Sequence, residues 1–220
     1  MRNLIGDAGH GGKDSGAVSI DGDVLEKDIT LIVTNRTCEI IKEQLVLNGF
    51  HRNYVHKTRS TDVFLSLQKR VQLANELAAD SFSVHCNAGK GDGIEIFTSR
   101  GQTSSDSWAD ELYKQAEKFL PNQVQRTDFS DGDADKEAGF TVLRNKHSAV
   151  LIELGFIDTE KGEAFLSNPA NMERLSQWIA SATLKNRFNL VMKSNIPPSQ
   201  ILPITEEDKL EILWQKHLNS

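Results

Sequence analysis

A chain of 220 residues, 38% of them apolar, is long enough to bury one full hydrophobic core, and it fits a single domain with a short appendage. A charged fraction of 25% excludes wholesale disorder, and no apolar run reaches the roughly 18 residues that read as a membrane span. The net charge of -6 argues against nucleic acid as a main partner.

Residues 3–7 predict a first strand that runs into a glycine-rich loop over 9–16. The spacing of Ile29, Ile32, Ile40, Ile41 and Leu45 predicts a long helix over 26–47, stopped by Asn48-Gly49. A short strand is expected over 52–56. A second, amphipathic helix over 65–79 runs through Leu67, Val71, Ala74, Asn75 and Ala78. Residues 81–85 read as a buried strand and the alternating stretch 93–98 as another. A third helix over 105–120 is closed by Pro121, and the polar, Asp-rich stretch 122–139 reads as a loop bordering the edge of the site. The continuous apolar run 149–154 is a strand, and 168–190 is a fourth helix with Pro169 in its first turn.

Strands alternating with helices give an α/β fold: a single domain over 1–190, with a twisted, mostly parallel central sheet and helices on both faces. Residues 191–204 form a Pro-containing linker. Residues 205–220 form a short C-terminal amphipathic helix, with Leu210, Leu213, Trp214 and Leu218 on one side. A helix of that length is marginal alone, so it is expected to pack on the domain, to mediate self-association, or to dock on the target of the protein. Cys38 and Cys86 match neither a zinc ribbon nor a disulfide framework and read as free thiols of a reducing compartment. Met1-Arg2-Asn3-Leu4-Ile5 runs directly into Gly6-Asp7, without the basic and apolar regions of a secretory signal, so synthesis in the cytoplasm without a signal peptide is expected.

Four residues stand out chemically. The loop Gly6-Asp7-Ala8-Gly9-His10-Gly11-Gly12-Lys13-Asp14 fails as a phosphate-binding loop, because Lys13 is followed by Asp14 rather than Ser or Thr. Its glycines instead allow close backbone approach and hold His10 at the carboxyl end of a strand, where open α/β sheets bind ligands. His85 closes a second strand in the same way. Glu26 opens the long helix, where a carboxylate is favoured by the helix dipole in any case. Together they make a His₂Glu set, one of the recognised zinc ligand sets with an open fourth position. Glu153 interrupts the apolar run Val150-Leu151-Ile152-Glu153-Leu154, where a charge must be paired, near a metal, or protonated. It reads as a general acid or base.

On these residues the chain resembles the zinc-dependent N-acetylmuramoyl-L-alanine amidase family of Amidase_3 type, from about residue 3 to about residue 187. The ordered motifs are Asp7-Ala8-Gly9-His10-Gly11-Gly12 with Asp14 and Gly16-Ala17; Glu26-Lys27-Asp28; Arg59 with Asp62; Leu67 to Arg70 with Ala74-Asn75 and Ala79-Asp80; Ser83-Val84-His85-Cys86-Asn87-Ala88; Gly93-Ile94-Glu95; and Val142-Leu143-Arg144 followed by Val150 to Phe156. Ala8 stands where relatives commonly have Pro, and Cys86 where they commonly have a small or apolar residue. The resemblance implies Zn²⁺ held by His10, Glu26 and His85, with Glu153 as the catalytic glutamate. Arg59 and Asp62 are expected to organise loops, and Asn75 to be a buried hydrogen-bonding residue. It further implies a peptidoglycan hydrolase that cuts between N-acetylmuramic acid and L-alanine by zinc-activated water. Bacterial peptidoglycan is then the partner, without membrane insertion. The enzyme would reach the cell wall after release, as an endolysin does in phage lysis or an amidase in mother-cell lysis. Two other readings of the same residues are a zinc peptidase cutting within the stem peptide and a non-catalytic cell-wall-binding module.

Overall fold

The computed structural model describes residues 2–193; the expected tail helix, and the linker from residue 194 onward, lie outside the described residues. Six strands form one mixed sheet: β1 (Asn3–Ala8), β2 (Val55–Lys57), β3 (Ala79–Asn87), β4 (Glu95–Thr98), β5 (Lys136–Glu137) and β6 (Ala149–Phe156). The sheet order is β2-β1-β3-β6-β4-β5, and all neighbours are parallel except β4 and β6. Five helices accompany it: α1 (Glu26–Leu47), α2 (Leu67–Glu76), α3 (Asp106–Phe119), α4 (Glu160–Leu166) and α5 (Pro169–Phe188).

The two faces of the sheet are unequal. Leu4, Phe82, Val84, Val150, Ile152 and Ile96 point to the side covered by α1, α3 and α5, and with Trp108, Leu112, Trp178 and Ile179 they build the main core. The Trp178 indole donates to the Leu112 carbonyl at 2.7 Å and ties α5 to α3. The other face alternates with it. There Ile5 and Ala79 pack on Ala74 of α2, and Ala149 and Leu151 pack on Val142 and Leu143 of a single 3₁₀ turn. Helices do cover both faces, but among the described residues α2 is the only one of them packed on the second.

The differences from the sequence reading have local causes. Residues 52–54 form a 3₁₀ turn before β2, so the strand starts at Val55. Helix α2 begins after Ser66, whose hydroxyl caps Lys69 N at 3.2 Å, and ends at Glu76 because β3 already starts at Ala79. Its buried residues are Arg70 and Ala74, whereas Leu67 is exposed. The 122–139 stretch is not loop throughout: Lys136–Glu137 adds β5 to the sheet edge by pairing with Phe97 and Thr98. Helix α4 was not expected; the Thr159 hydroxyl caps Gly162 N at 3.0 Å. Pro169 sits at the start of α5 behind its cap Asn168, as expected.

Candidate metal centre and active site

The carboxyl ends of β1, β3 and β6 converge with the amino end of α1. After β1 the chain turns sharply, and His10 takes a left-handed backbone conformation with φ of 60°. That conformation is uncommon outside glycine and recurs at functional sites. It points the imidazole across to Glu26, with Nε2 at 3.1 Å from Oε2, while Nδ1 lies 3.0 Å from Asp14 Oδ2. On β3, His85 Nδ1 lies 3.0 Å from the other Glu26 oxygen, Oε1. Two imidazoles therefore address one carboxylate, and their rings meet edge to face with centroids 5.1 Å apart. Backbone amides hold that carboxylate in place: Ala17 N donates to Oε2 at 2.7 Å and Cys86 N to Oε1 at 2.8 Å. Cys86 itself turns to the opposite face of the sheet and lies buried in the main core, so its thiol does not join the set.

The cluster fits a metal ion. Each of His10, Glu26 and His85 offers one ligand atom, and these atoms lie within 4.8 Å of one another. The room for them is built into the backbone. A Cβ on Gly9 would come within 2.5 Å of the His85 ring, and one on Gly16 within 2.4 Å of Glu26 Oε2. Two imidazoles and a carboxylate are the donor types that zinc takes in three-ligand catalytic sites.

Electrostatics sets Glu26 and Glu153 apart. Burial pushes the Glu26 carboxyl up, but the hydrogen bonds from His10 and His85 outweigh it and hold the group well below the usual carboxylate range. For His10, burial acts downward, and the Glu26 and Asp14 carboxylates more than compensate, so its pKa is raised. Glu153 lies directly opposite His85 in the β3–β6 register, on the same face of the sheet. Burial raises its pKa to about 7, and Glu26 and Glu95 add to the rise. Its Oε2 is buried and has no hydrogen-bond partner among the described residues.

The loop bearing His10 is clamped from below by two buried arginines. Arg59 donates to the carbonyls of Ala8 (3.0 Å), Gly9 (2.7 Å) and Lys27 (2.8 Å). Arg70 donates to the carbonyls of Ala8 and His10 and pairs with Asp7 at 2.8 Å. Asp62 accepts from Gly12 N and Lys27 Nζ, both at 2.7 Å. Arg59 and Asp62 thus organise the loop by reaching different atoms of it. Asn75 is half-buried and accepts from Lys146 N at 2.9 Å. The sequence reading gave no role to Asp14 or Arg70; the spacing of Asp14 four residues after His10 was the available signal for the first.

The profile of the N-acetylmuramoyl-L-alanine amidase family (Amidase_3) matches residues 5–185. The endolysin of Bacillus phage SPP1 is 32% identical over 212 residues, covering 94% of this chain and 74% of that protein. The sporulation-specific N-acetylmuramoyl-L-alanine amidase of Bacillus subtilis is 30% identical over 199 residues, 89% of this chain and 71% of that one. Among solved structures, the catalytic domain of CwlV, an N-acetylmuramoyl-L-alanine amidase from Bacillus (Paenibacillus) polymyxa var. colistinus, superposes with a TM-score of 0.70 at 30% identity, covering 88% of this chain and 100% of that one. The amidase AmiC2 of Nostoc punctiforme gives a TM-score of 0.73 at 26% identity, over 85% and 97% of the two chains. With the match running through every element that builds the site, the chain belongs to the Amidase_3 family of N-acetylmuramoyl-L-alanine amidases.

Proposed function

We propose that this chain hydrolyses the amide bond between the lactyl group of N-acetylmuramic acid and the L-alanine of peptidoglycan, using zinc held by His10, Glu26 and His85 and a proton relay through Glu153. The observation that carries the reading is the convergence of two imidazoles on one carboxylate beside a glutamate whose pKa is raised to about 7. His10, Glu26 and His85 would hold the zinc, which would polarise a carbonyl and lower the pKa of water toward neutrality. The Asp14 carboxylate, 3.0 Å from His10 Nδ1, favours a proton on that nitrogen, which leaves the Nε2 lone pair for the ligand position. The amides of Ala17 and Cys86 keep both Glu26 oxygens from turning away. Glu153 Oε2, free of other partners among the described residues, takes the proton of the attacking water and returns it to the departing nitrogen.

The relatives include a phage endolysin and a sporulation amidase, which supports action on the cell wall after release by lysis. No helix among the described residues is long and apolar enough to cross a membrane. The experiment is digestion of defined muropeptides by zinc-loaded protein, with and without chelator, read by mass spectrometry. Chelator-sensitive release of a stem peptide with a free L-alanine amino terminus is expected. Cleavage inside the peptide would identify a peptidase, and no cleavage by folded, loaded protein would identify a binding module.

A further inference from the structure

Glu95 sits opposite Glu153 in the β4–β6 register, on the same face of the sheet, one strand further from the metal-ligating cluster. It is buried, and two cations share its Oε1: Arg126 Nε at 2.8 Å and Lys136 Nζ at 2.5 Å. Asn87, two residues past His85, donates to its Oε2. Two cations on one carboxylate leave this trio with one positive charge to spare, in a chain that is acidic as a whole.

Arg126 is rigidly mounted. Its backbone N donates to the Ile94 carbonyl at 3.0 Å, and its own carbonyl accepts from the Tyr113 hydroxyl at 3.1 Å. Its guanidinium lies over the Phe156 ring, 5.3 Å from the centroid, at the carboxyl end of β6. Only Nε is engaged; Nη1 and Nη2 make no hydrogen bond among the described residues, and 41% of the side chain is exposed. An immobilised guanidinium with its terminal edge open is the geometry that takes a carboxylate through two parallel hydrogen bonds. Paired residues on neighbouring strands hold their side chains about 5 Å apart, so Glu95 stands one side chain beyond Glu153, and Arg126, bound to Glu95, stands a second one beyond it. Peptide residues span roughly 3.5 Å each and a hydrogen bond adds about 3 Å, so this offset of about 10 Å reaches the residue that follows the L-alanine of a bound stem peptide.

We propose that Arg126, supported by Glu95 and Lys136, is a specificity-determining residue that binds the free α-carboxylate of the second stem-peptide residue, a D-glutamate linked onward through its side chain. The inference rests on the amidase reading above. It implies that stems carrying this carboxylate are cleaved better than stems in which it is a carboxamide.

The test is kcat/KM of the zinc-loaded enzyme on two muramyl tripeptides that differ only in that group, carboxylate or carboxamide. The wild type is expected to favour the carboxylate. R126Q is expected to lose roughly 10-fold to 100-fold on the carboxylate substrate, the value of a charge-assisted hydrogen bond, and to bring the two substrates to parity. R126K, which keeps the charge without the fork, falls between them. A merely structural role would lower both substrates together and leave their ratio unchanged. Equal use of both substrates by the wild type, or an unchanged ratio in R126Q, overturns the inference while leaving the amidase reading intact. Failure of the wild type to cleave either substrate overturns the amidase reading and this inference with it.

Discussion

Glu26 is buried and Glu153 half-buried at the carboxyl ends of the strands, and their surroundings push their pKa values in opposite directions. Glu26 has imidazoles on both oxygens and amides behind them; Glu153 has a desolvated oxygen and carboxylates for neighbours. Environments that push two carboxyl groups apart in this way separate a charge-holding role from a proton-moving one. Glu153→Gln is therefore expected to keep its zinc, measured by metal analysis, while turnover of muropeptide falls by roughly 10²-fold to 10⁴-fold. His10→Ala and His85→Ala should lose both zinc and turnover. The same group makes a stability prediction for chelator-treated protein. A carboxyl whose pKa is raised from 4.5 to about 7 on folding binds its proton more tightly in the native state, so its contribution is fully present below pH 4.5 and lost as the pH rises through about 7. Chelator-treated Glu153→Gln, which has no proton to lose, should melt at a higher temperature than the wild type at pH 8, with the difference vanishing near pH 4.5.

At the scale of elements, the decisive join is between β1 and the start of α1, where Asp7, Arg59 and Arg70 replace hydrophobic packing with a polar clamp. Asp7 is almost fully buried. Desolvation raises its pKa, but the Arg70 guanidinium and the hydroxyls of Ser83 and Thr58 more than offset this and hold it below the usual range. Arg70→Met strands that charge and is expected to cost about 3–5 kcal/mol in urea unfolding, whereas Arg70→Met with Asp7→Leu should recover part of the loss. How legible the elements were follows from what holds them. Helix α1 and strands β3 and β6 were readable because their periodic apolar residues match what they bury. Helix α4 was not, because it is seven residues long, carries Gly162 in its first turn and lacks a Glu at the capping-box position. Strand β5 was hidden because its two residues, Lys136 and Glu137, are polar; it exists through its pairing with β4 and the Thr98–Asp135 hydrogen bond beside it. The four chemical residues were visible as oddities, polar groups at strand ends or in an apolar run. Asp14, Arg70 and Arg126 were not, since a charge in a loop or on an amphipathic helix looks like ordinary solvated surface until the fold brings its partner alongside.

For the molecule as a whole, residues 2–193 already contain a closed core and every member of the proposed site. The last described residue, Lys193, donates from Nζ to the Leu47 carbonyl at 2.6 Å and from its backbone N to Gln44 Oε1 at 2.8 Å, which fastens that end to α1. A chain ending at residue 193 keeps all of that core and the whole cluster, and is therefore expected to fold cooperatively in a thermal melt and to keep chelator-sensitive turnover. A change in solution mass or in cell-wall pull-down on that truncation would assign the remainder to self-association or wall docking.

The unequal sheet has one more consequence. Along β3 the residues alternate between Phe82, Val84 and Cys86, which fill the core, and Ser83 and His85, which face the site. Sliding β3 by one position against its neighbours would send His85 into the oil and bring Val84 or Cys86 up among the polar groups. The greasy half of the strand therefore acts as a ruler for the reactive half. A chain that has paired its strands wrongly forfeits its core in the same act, so a molecule stable enough to survive is also one whose chemistry is in line.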